Sequence, residues 1–457
     1  MRDEPATNES WQKLDKKYIW HPFTQMKDWE KEEQLIIEEA KGSYLKATNG
    51  KWYLDGVSSL WVNLHGHRKR QIDTTIKEQI NKVSHSTLLG LGNIPSIELA
   101  KRLVDIVPKG LSKVFYSDNG STAVEVALKI AFQYWANIGK KKKSRFVHLN
   151  NSYHGDSLGA VSVGGIDLFH KTYKPLLFSS IAVQAPFCYH CPEGKRYPDC
   201  KFECLEELEN ILKNKNGQIV ALIVEPIVQA AAGIIVWPKG ILKRMRQLTY
   251  KYNVLLIADE VATGFGRTGR MFACLHEKVN PDILCLAKGI SAGYLPIAAT
   301  LTTQKIYNAF LADYAKKKTF FHGHTYTGNQ LGSAAAIANL KIFKKEKVLE
   351  KLREKINVLK NGLSGFKKLK HVGDVRQCGF MVGIELVKDK NKKTPYAWEE
   401  KIGVRVCQRV RRYGVILRPL GNVIVLMPPL AITVKELRYL LKHTYLAIRQ
   451  VTEFSSE

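Results

Sequence analysis

The sequence predicts an α/β protein: a large domain with a mostly parallel sheet between helices, followed by a smaller α+β domain. Short apolar runs alternate with longer helical patterns through the middle of the chain, as expected for helices packed on both faces of such a sheet. The runs predict strands at 146–149, 219–224, 254–258 and 283–286, and helices at 122–137 and 240–252. From about Gly332 this alternation ends, which indicates a second domain.

The C-terminal part has the elements of a small α+β domain. They are predicted as a long helix through 334–347 and beyond, a strand region at 374–386, a helix around 398–412, a strand pair near 415–427 and a last helix. The aromatic-rich N-terminal segment is too short to bury a core of its own, so we expect it to pack on the C-terminal domain or on a second subunit. The predicted division is an N-terminal segment at 1–70, a large domain at 71–331 and a small domain at 332–457.

The composition is ordinary for a globular protein, with 45% apolar and 25% charged residues among 457. The formal net charge is +28, but the basic residues are scattered and the densest run is 140–143, which favours a solvated surface over a nucleic-acid-binding one. The first ten residues lack the apolar segment of a secretion signal, and no apolar run approaches the roughly 18 residues of a membrane helix. We therefore expect a soluble, cytoplasmic protein with no nucleic-acid or membrane partner.

Four of the eight cysteines lie within one short segment, CYHCPEGKRYPDCKFEC. Cys188, Cys191, Cys200 and Cys204 have a spacing that suits the four thiolate ligands of a tetrahedral zinc ion, with His190 as a spare ligand. The alternative is a loop of reduced thiols in a cytosolic enzyme. The sequence leaves both interpretations open, and we assign no metal site.

The strongest local signal is a set of charged residues at the ends of two apolar runs. VLLIADE ends in Asp259 and Glu260, and PDILCLAK ends in Lys288. Ligands bind at the carboxyl ends of strands in open α/β sheets. Burial penalises an ammonium group, but a buried lysine is tolerated when its amine forms a Schiff base, and Asp259 would then suit a protonated pyridine nitrogen. A buried ion pair between Asp259 and Lys288 is the structural alternative, and these residues alone favour neither.

Three further motifs contain groups that suit anions or planar ligands. FYSDNGSTAVEVALKIA places Gly120 and Ser121 at a helix start, where backbone amides bind anions, although an ordinary N-cap by Ser121 has the same pattern. NSYHGDSLG contains Tyr153, which either stacks on a planar cofactor or belongs to the core. FFHGHTYTG contains Gly323, which permits a close backbone approach to a ligand, and Thr325, whose hydroxyl could donate a hydrogen bond to a phosphate. The two histidines of that motif lack an acidic third ligand, which argues against a metal.

Taken in order along the chain, these motifs resemble those of the class III aminotransferases, which are fold-type I enzymes that use pyridoxal 5'-phosphate. The resemblance covers nearly the whole chain, and its residues are Gly120-Ser121, Tyr153-His154-Gly155, Glu225-Pro226, Asp259-Glu260, Lys288 and Thr325. It implies a large domain that binds pyridoxal phosphate, small-molecule substrates, and a homodimer with active sites at the subunit interface.

The resemblance also implies roles for the matching side chains. Lys288 would be the catalytic residue, carrying the cofactor and moving a proton. Asp259 would contact the pyridine nitrogen, and Tyr153 would lie on the ring face. The phosphate would be held by Gly120 and Ser121, together with His324 and Thr325 of the partner subunit. The residues implied at the substrate are Phe23, Trp61, Tyr153, Asp156, Arg267, Gly323 and Arg418. Arg418 would bind a substrate carboxylate, for which a planar guanidinium is suited; a surface ion pair is the plain alternative.

Several segments resemble one subfamily more narrowly, among them YIWHPFTQMKDW, SSLWVNLHGH and RPLGNVIVLMPPL. That subfamily serves biotin synthesis by converting 8-amino-7-oxononanoate to 7,8-diaminononanoate. Its usual amino donor is S-adenosylmethionine, and some members resemble lysine-using enzymes. Phe23 replaces the commoner tyrosine and Leu60 precedes Trp61 in place of a second tryptophan, so one hydrogen bond to the substrate is absent and the donor stays open. Another class III aminotransferase acting on an ω-amino acid is the alternative function.

Overall fold

The computed structural model describes residues 7–195 and 197–454. Its helices, numbered along the chain, are α1 (Asn8–Tyr18), α2 (Met26–Trp29), α3 (Ser58–Trp61), α4 (Arg70–Ile80), α5 (Ile94–Ile106), α6 (Gly120–Asn137), α7 (Leu158–Ser162), α8 (Asp167–His170), α9 (Glu206–Lys215), α10 (Ile241–Lys251), α11 (Gln304–Asn308), α12 (Gln330–Lys345), α13 (Val348–Leu363), α14 (Ile402–Arg411) and α15 (Val434–Glu453). Short 3-10 helices lie at Lys171–Leu176, Glu203–Leu205, Ala273–His276, Lys288–Ser291, Tyr314–Lys316, Ser364–Lys368 and Trp398–Glu400. Within these described residues, no helix combines the length and apolar character that crossing a bilayer requires.

The strands form two larger sheets, a mixed N-terminal sheet and a two-stranded hairpin. They are β1 (Ile37–Lys41), β2 (Tyr44–Ala47), β3 (Trp52–Asp55), β4 (Leu111–Ser117), β5 (Arg145–Leu149), β6 (Ile181–Val183), β7 (Ile219–Val224), β8 (Val228–Gln229), β9 (Ile235–Val236), β10 (Leu255–Asp259), β11 (Ile283–Leu286), β12 (Ala298–Thr303), β13 (Val372–Cys378), β14 (Met381–Asp389), β15 (Thr394–Pro395), β16 (Val415–Ile416), β17 (Arg418–Leu420) and β18 (Val423–Leu426).

The central sheet has seven strands in the order β4-β12-β11-β10-β7-β5-β6. Strand β12 runs antiparallel to both of its neighbours, and the other pairs are parallel. Every residue of β7, β10 and β11 is buried, which is why these strands are continuous apolar runs in the sequence. The predicted fold class, a mostly parallel sheet between helices beside a smaller domain, is confirmed.

The carboxyl edge of this sheet gathers the charged residues that the sequence singled out. Strand β10 ends at Asp259, which pairs in parallel register with Cys285 of the neighbouring β11. Lys288 follows β11 after one intervening residue, so it emerges at the same edge. Helix α6 begins just beyond the end of β4 and packs across β11 and β12. The parallel register therefore brings a carboxylate, a lysine and a helix start to one place.

The smaller domain is built around an antiparallel sheet in the order β13-β14-β18-β17, with β15 beside β14. The predicted strand pair near 415–427 is confirmed, and a third short strand, β16, precedes it. Strands β17 and β18 pair with each other, but β16 runs parallel to β3 in the N-terminal sheet. A local apolar pattern predicts that a strand exists but does not encode which strand it joins. The domain boundaries at 70 and 331 stay a prediction.

The long helix predicted through Lys347 is two helices, α12 and α13. Lys347 has a φ of 50°, a left-handed conformation that interrupts the helical hydrogen bonds. Residues 333–361, which include the break, hold no glycine or proline, the usual signals for a helix end. The break was therefore not visible in the sequence.

Candidate active site

A cavity of about 620 Å³ lies at the carboxyl edge of the central sheet. Seven of the residues predicted for the site line it: Trp61, Gly120, Ser121, Tyr153, Asp156, Asp259 and Lys288. They come from five segments that are far apart in the sequence, so only the fold brings them together. Further lining residues are Asp118, Asn119, His154 and Glu225.

Lys288 lies inside this cavity at the turn after β11, with a left-handed φ of 45°. Its Nζ is 5.1 Å from the ring centroid of Trp61, whose indole forms the adjacent wall. Burial lowers the pKa of Lys288, and the carboxylates of Asp259 and Glu225 offset part of that effect. A lysine with a lowered pKa is available as a nucleophilic amine and as a proton acceptor.

The carboxylate of Asp259 is buried and held at both oxygens. Oδ1 accepts the backbone N–H of Val261 at 3.0 Å, and Oδ2 lies 2.7 Å from Nδ1 of His154. Among the described residues, the basic nitrogen found within ion-pair distance of the Asp259 carboxylate is Nδ1 of His154 and not Nζ of Lys288, so the direct pair between Asp259 and Lys288 does not form. Because both oxygens are fixed, Asp259 presents a negative charge to the cavity in one orientation.

The start of α6 forms a cradle of backbone amides. Asn119, and not Ser121, is the N-cap: its side chain accepts the N–H of Thr122 at 3.0 Å, and its own N–H donates to Thr122 Oγ1 at 3.2 Å. The first N–H groups of a helix have no intrahelical partner, so this turn suits an anion. A Cβ at Gly120 would lie 2.7 Å from Val261 Cγ1, so only glycine fits against that wall.

The loop after β5 folds against this helix start. The Oγ of Ser121 accepts the backbone N–H of Asp156 at 2.8 Å, and Tyr153 Oη donates to Asp156 Oδ2 at 2.7 Å. Gly155 has a φ of 124°, and a Cβ there would lie 1.9 Å from Ser121 Oγ, so the close approach requires glycine. Burial, aided by the hydrogen bond to Asp156, raises the pKa of Tyr153, which keeps its phenol protonated.

Among the lining residues without a predicted site role, Glu225 and His154 have contacts that shape the cavity. Glu225 accepts the backbone N–H of Tyr153 at 2.9 Å and that of Ala230 at 2.8 Å, so it positions the tyrosine loop. It follows a fully apolar strand as Asp259 does, and that signal was available in the sequence. His154 belonged to a quoted motif, but its contact with Asp259 depends on the fold.

The segment Ser58–Trp61 takes four consecutive left-handed φ values of 51°, 49°, 66° and 70°. Each such residue costs about 1–3 kcal/mol unless its surroundings compensate. Here Ser58 Oγ donates to the Met427 carbonyl, and Ser59 Oγ donates to Asp55 Oδ2 at 2.8 Å. This strained turn holds Trp61 against Lys288. It contains no glycine, so no residue in this segment predicts a left-handed backbone.

Arg267 supports the site from behind the cavity wall. Its side chain is buried, and its guanidinium donates to the Pro428 carbonyl at 2.8 Å and to the Asn63 carbonyl at 2.9 Å. Burial lowers the pKa of Arg267 to about 9, and its positive charge lowers the pKa of Lys288. It ties the chain near Trp61 to the C-terminal domain, but it does not line the cavity.

The other predicted site residues lie outside the cavity of their own chain. Phe23 is 57% exposed and meets Phe169 edge-on, with ring centroids 5.3 Å apart. Arg418 is exposed on β17. Gly323 and Thr325 are exposed, and His324 comes no nearer than a 3.9 Å contact from its Nε2 to Asp118 Oδ1.

Glu225 also makes stability depend on pH. Burial raises the pKa of Glu225 to about 7 from the ordinary 4.5. Between pH 4.5 and about pH 7 the folded state binds more protons than the unfolded state, so stability falls as the pH rises. The stability contributed by protonated Glu225 is therefore fully present below pH 4.5 and lost above about pH 7. We expect the urea midpoint of cofactor-free protein to fall less between about pH 5 and about pH 8 in Glu225→Gln than in wild type.

Exposed Glu354 on α13 provides the matched control. Glu354→Gln is expected to retain the wild-type decrease in the urea midpoint. An undiminished decrease in Glu225→Gln would contradict the assignment of this pH dependence to Glu225.

Comparison with known proteins agrees with this geometry. Residues 25–448 match the family model described as aminotransferase class-III. The adenosylmethionine-8-amino-7-oxononanoate aminotransferase of Geobacter sulfurreducens is 55% identical over 439 residues, which cover 96% of this chain and 97% of that protein. The crystal structure of the enzyme of that name from Methanocaldococcus jannaschii matches with a TM-score of 0.93 and 48% identity, over 97% of this chain and 99% of that one.

A PLP-bound amine transaminase from an uncultivated Pseudomonas species also matches, with a TM-score of 0.90 and 35% identity over 95% of this chain and 98% of that one. Class III aminotransferases are in general pyridoxal-phosphate-dependent. The resemblance that the motifs indicated is confirmed by matches along nearly the full length of the chain. This chain therefore belongs to the class-III aminotransferases.

Proposed function

We propose that this chain binds pyridoxal 5'-phosphate and transfers an amino group to 8-amino-7-oxononanoate, forming 7,8-diaminononanoate for biotin synthesis. S-adenosylmethionine is the proposed donor, with lysine as the alternative. Full-length similarity to enzymes named for this reaction supports the proposal. The single observation that carries it is the meeting of Lys288, Asp259 and the start of α6 in one cavity.

The residues of the cavity fit this cofactor. Lys288 supplies an amine, and the fixed carboxylate of Asp259 suits a protonated ring nitrogen. The first amides of α6 and the hydroxyl of Ser121 suit a phosphate. His154 Nε2 is a buried nitrogen without a hydrogen-bond partner among the described residues. The pocket therefore offers a hydrogen-bonding group to a ligand.

When bound, pyridoxal phosphate supplies a carbonyl that condenses with amines and a ring that withdraws electrons from the reacting carbon. The chain's own residues would bind the cofactor, transfer the proton and exclude water. Lys288 Nζ would accept a proton from the donor carbon and return it to the reacting atoms, for which its lowered pKa is suited. Asp259 would hold the ring nitrogen, and Trp61 and Tyr153 would form walls that exclude water from the reacting atoms. The second substrate reverses these steps, so ping-pong kinetics are expected.

We infer a homodimer in which Gly323, His324 and Thr325 act in the cavity of a partner subunit. All three residues lie outside the cavity of their own chain, and Gly323 and Thr325 are exposed, which supports this inference. So do the neighbouring apolar side chains Phe321, 77% exposed, and Tyr326, 61% exposed, which a partner would cover. Light scattering of the purified protein is expected to give the mass of two chains. A monomer with full turnover would overturn the inference.

Arg418 is the proposed anchor for the keto-acid carboxylate. Ile416 pairs with Asp55 of β3, so Arg418 lies two residues beyond this pairing, close to where the chain turns toward Trp61. Arg418→Ala is expected to raise the KM for 8-amino-7-oxononanoate about 10- to 100-fold, the effect of losing one charged hydrogen bond of about 1.5–3 kcal/mol. Cofactor affinity should stay unchanged.

Arg438→Ala, at an exposed position on α15, is the matched control for Arg418→Ala, since it removes the same charge elsewhere on the surface. Steady-state kinetics and cofactor titration of both alanine variants check the prediction. Equal losses of substrate and cofactor binding in Arg418→Ala would instead indicate a structural arginine.

The function is tested by assaying the purified enzyme with 8-amino-7-oxononanoate and each donor in turn. Formation of 7,8-diaminononanoate with S-adenosylmethionine is the expected result. Turnover with lysine alone would reassign the donor. Turnover of ω-amino acids such as ornithine or 4-aminobutyrate, with no conversion of the keto acid, would replace the proposed function with the alternative.

A further inference from the structure

A second, much smaller cavity is lined by four cysteines. Cys188, Cys191, Cys200 and Cys204 all border it, and all four are free thiols. Its volume is about 20 Å³, which has room for a single ion or water molecule. We propose that these four thiols bind one Zn²⁺ ion as a structural site, separate from the active site.

The ligand chemistry selects zinc. Four thiolates are a common donor set for structural Zn²⁺, which prefers sulfur and nitrogen ligands in tetrahedral geometry. Mg²⁺ and Ca²⁺ require oxygen ligands and are not suited to this set. His190 is already engaged with Glu385, its Nε2 lying 2.6 Å from Oε1, so the four thiols form the better set.

The four thiols share one cavity although they come from two separate pairs in the sequence, C-x-x-C at 188–191 and C-x-x-x-C at 200–204. The remaining cysteines, Cys274, Cys285, Cys378 and Cys407, do not border this cavity.

A bound metal ion would stabilise the loop that contains these cysteines. The described residues of 184–202 form no helix or strand, and irregular segments longer than about 12–15 residues are uncommon in compact domains. Side-chain contacts fix the loop at one end: Phe187 lies under Arg376 at 5.2 Å, and the Tyr189 carbonyl accepts from Lys393 Nζ at 2.6 Å. A zinc ion would join its two ends, Cys188 and Cys204.

Binding requires a small movement of the loop. Among the described residues, no three His, Cys, Asp or Glu side chains already stand in the arrangement of metal ligands. The thiols must therefore approach the ion and release their protons to solvent as they become thiolates. The described residues between Cys188 and Cys200 form no helix or strand, so their movement breaks neither.

The tied loop supports the active-site edge of the molecule. Arg376, which the loop covers through Phe187, donates to the carbonyls of Gly233 and Ile234 at 2.7 and 3.1 Å. That turn follows Ala230 and Ala231, which line the active-site cavity. Zinc would therefore stabilise the fold near the site without contacting a substrate.

Metal analysis of the full-length protein, purified from cells grown with added zinc, tests the proposal. We expect about one zinc per chain in the wild type, as a Cys₄ site holds a single ion. The double variant Cys188→Ser with Cys204→Ser should hold less than a tenth of that, and Cys378→Ser, outside the cluster, should match the wild type. Zinc retained by the double variant would place the metal elsewhere and overturn the proposal.

A cobalt experiment on the wild type does not depend on whether the variants fold. Added Co²⁺ should give the intense red-end absorption bands of a tetrahedral thiolate site, in a region where the cofactor does not absorb, and added Zn²⁺ should remove them. Wild-type protein that contains no zinc, and gives no such bands with Co²⁺, would show that the segment is a loop of reduced thiols.

Discussion

Replacing Lys288 with alanine is expected to lower kcat by about 10⁴-fold or more, the upper range of what a positioned proton-transfer group contributes. Among the described residues, no other lysine lines the cavity, so none of them places a second amine there. The variant should also lose the visible absorption band that depends on the cofactor's covalent link to the lysine. Single-turnover kinetics and absorption spectra of the purified variant check both effects.

The control for this experiment is Lys305→Ala, an exposed lysine on α11. Its turnover and spectrum should match the wild type. Thermal unfolding of both variants separates loss of chemistry from loss of folding. Wild-type turnover in Lys288→Ala would exclude the proposed mechanism, whatever its substrate.

Asp259→Asn is expected to lower kcat about 10²- to 10³-fold, comparable to the loss of one preorganised electrostatic contact. Asparagine keeps the size of the side chain and an oxygen for the N–H of Val261, but it carries no charge to stabilise a protonated ring nitrogen. Both half-reactions should slow, because both need the same electron-withdrawing ring. Rapid-mixing kinetics with each substrate alone measure the two halves separately.

The adjacent carboxylate provides a matched control within the same chain. Glu260 is buried and turns away from the cavity, where it accepts the N–H groups of Ala273 at 2.6 Å and Cys274 at 2.8 Å. Glu260→Gln should therefore lower the free energy of unfolding by about 1–3 kcal/mol and leave kcat nearly unchanged. If both variants lost turnover equally, the special role of Asp259 would not stand.

Much of the fold was predictable because burial on both faces makes the central strands continuous apolar runs. The same runs ended in Asp259 and Lys288, and the rule that ligands lie at the carboxyl edge predicted a shared site. The resemblance to a known family then supplied roles that spacing alone left open, since an ion pair between these two residues was equally compatible with the sequence.

Other features of the site were invisible because they depend on contacts across the fold. The hydrogen bond between His154 and Asp259 joins the loop after β5 to the end of β10, and no local pattern encodes it. The left-handed turn at Ser58–Trp61 persists because Met427 and Asp55 hold its serines, although none of its residues favours that conformation. Glu225 is different, since its position after a buried strand was a usable signal.

Local sequence patterns were enough to predict the buried strands β5, β7, β10 and β11, the order of the functional motifs and the chemical groups available, because periodicity and residue type are local properties. Which of these groups meet depends on the tertiary structure. It separated Lys288 from a direct ion pair with Asp259, assigned the helix cap to Asn119 and gathered four cysteines around one small cavity. The physical reason is that such contacts join residues distant in the chain, and strand pairing and close packing, not local preference, set their distances.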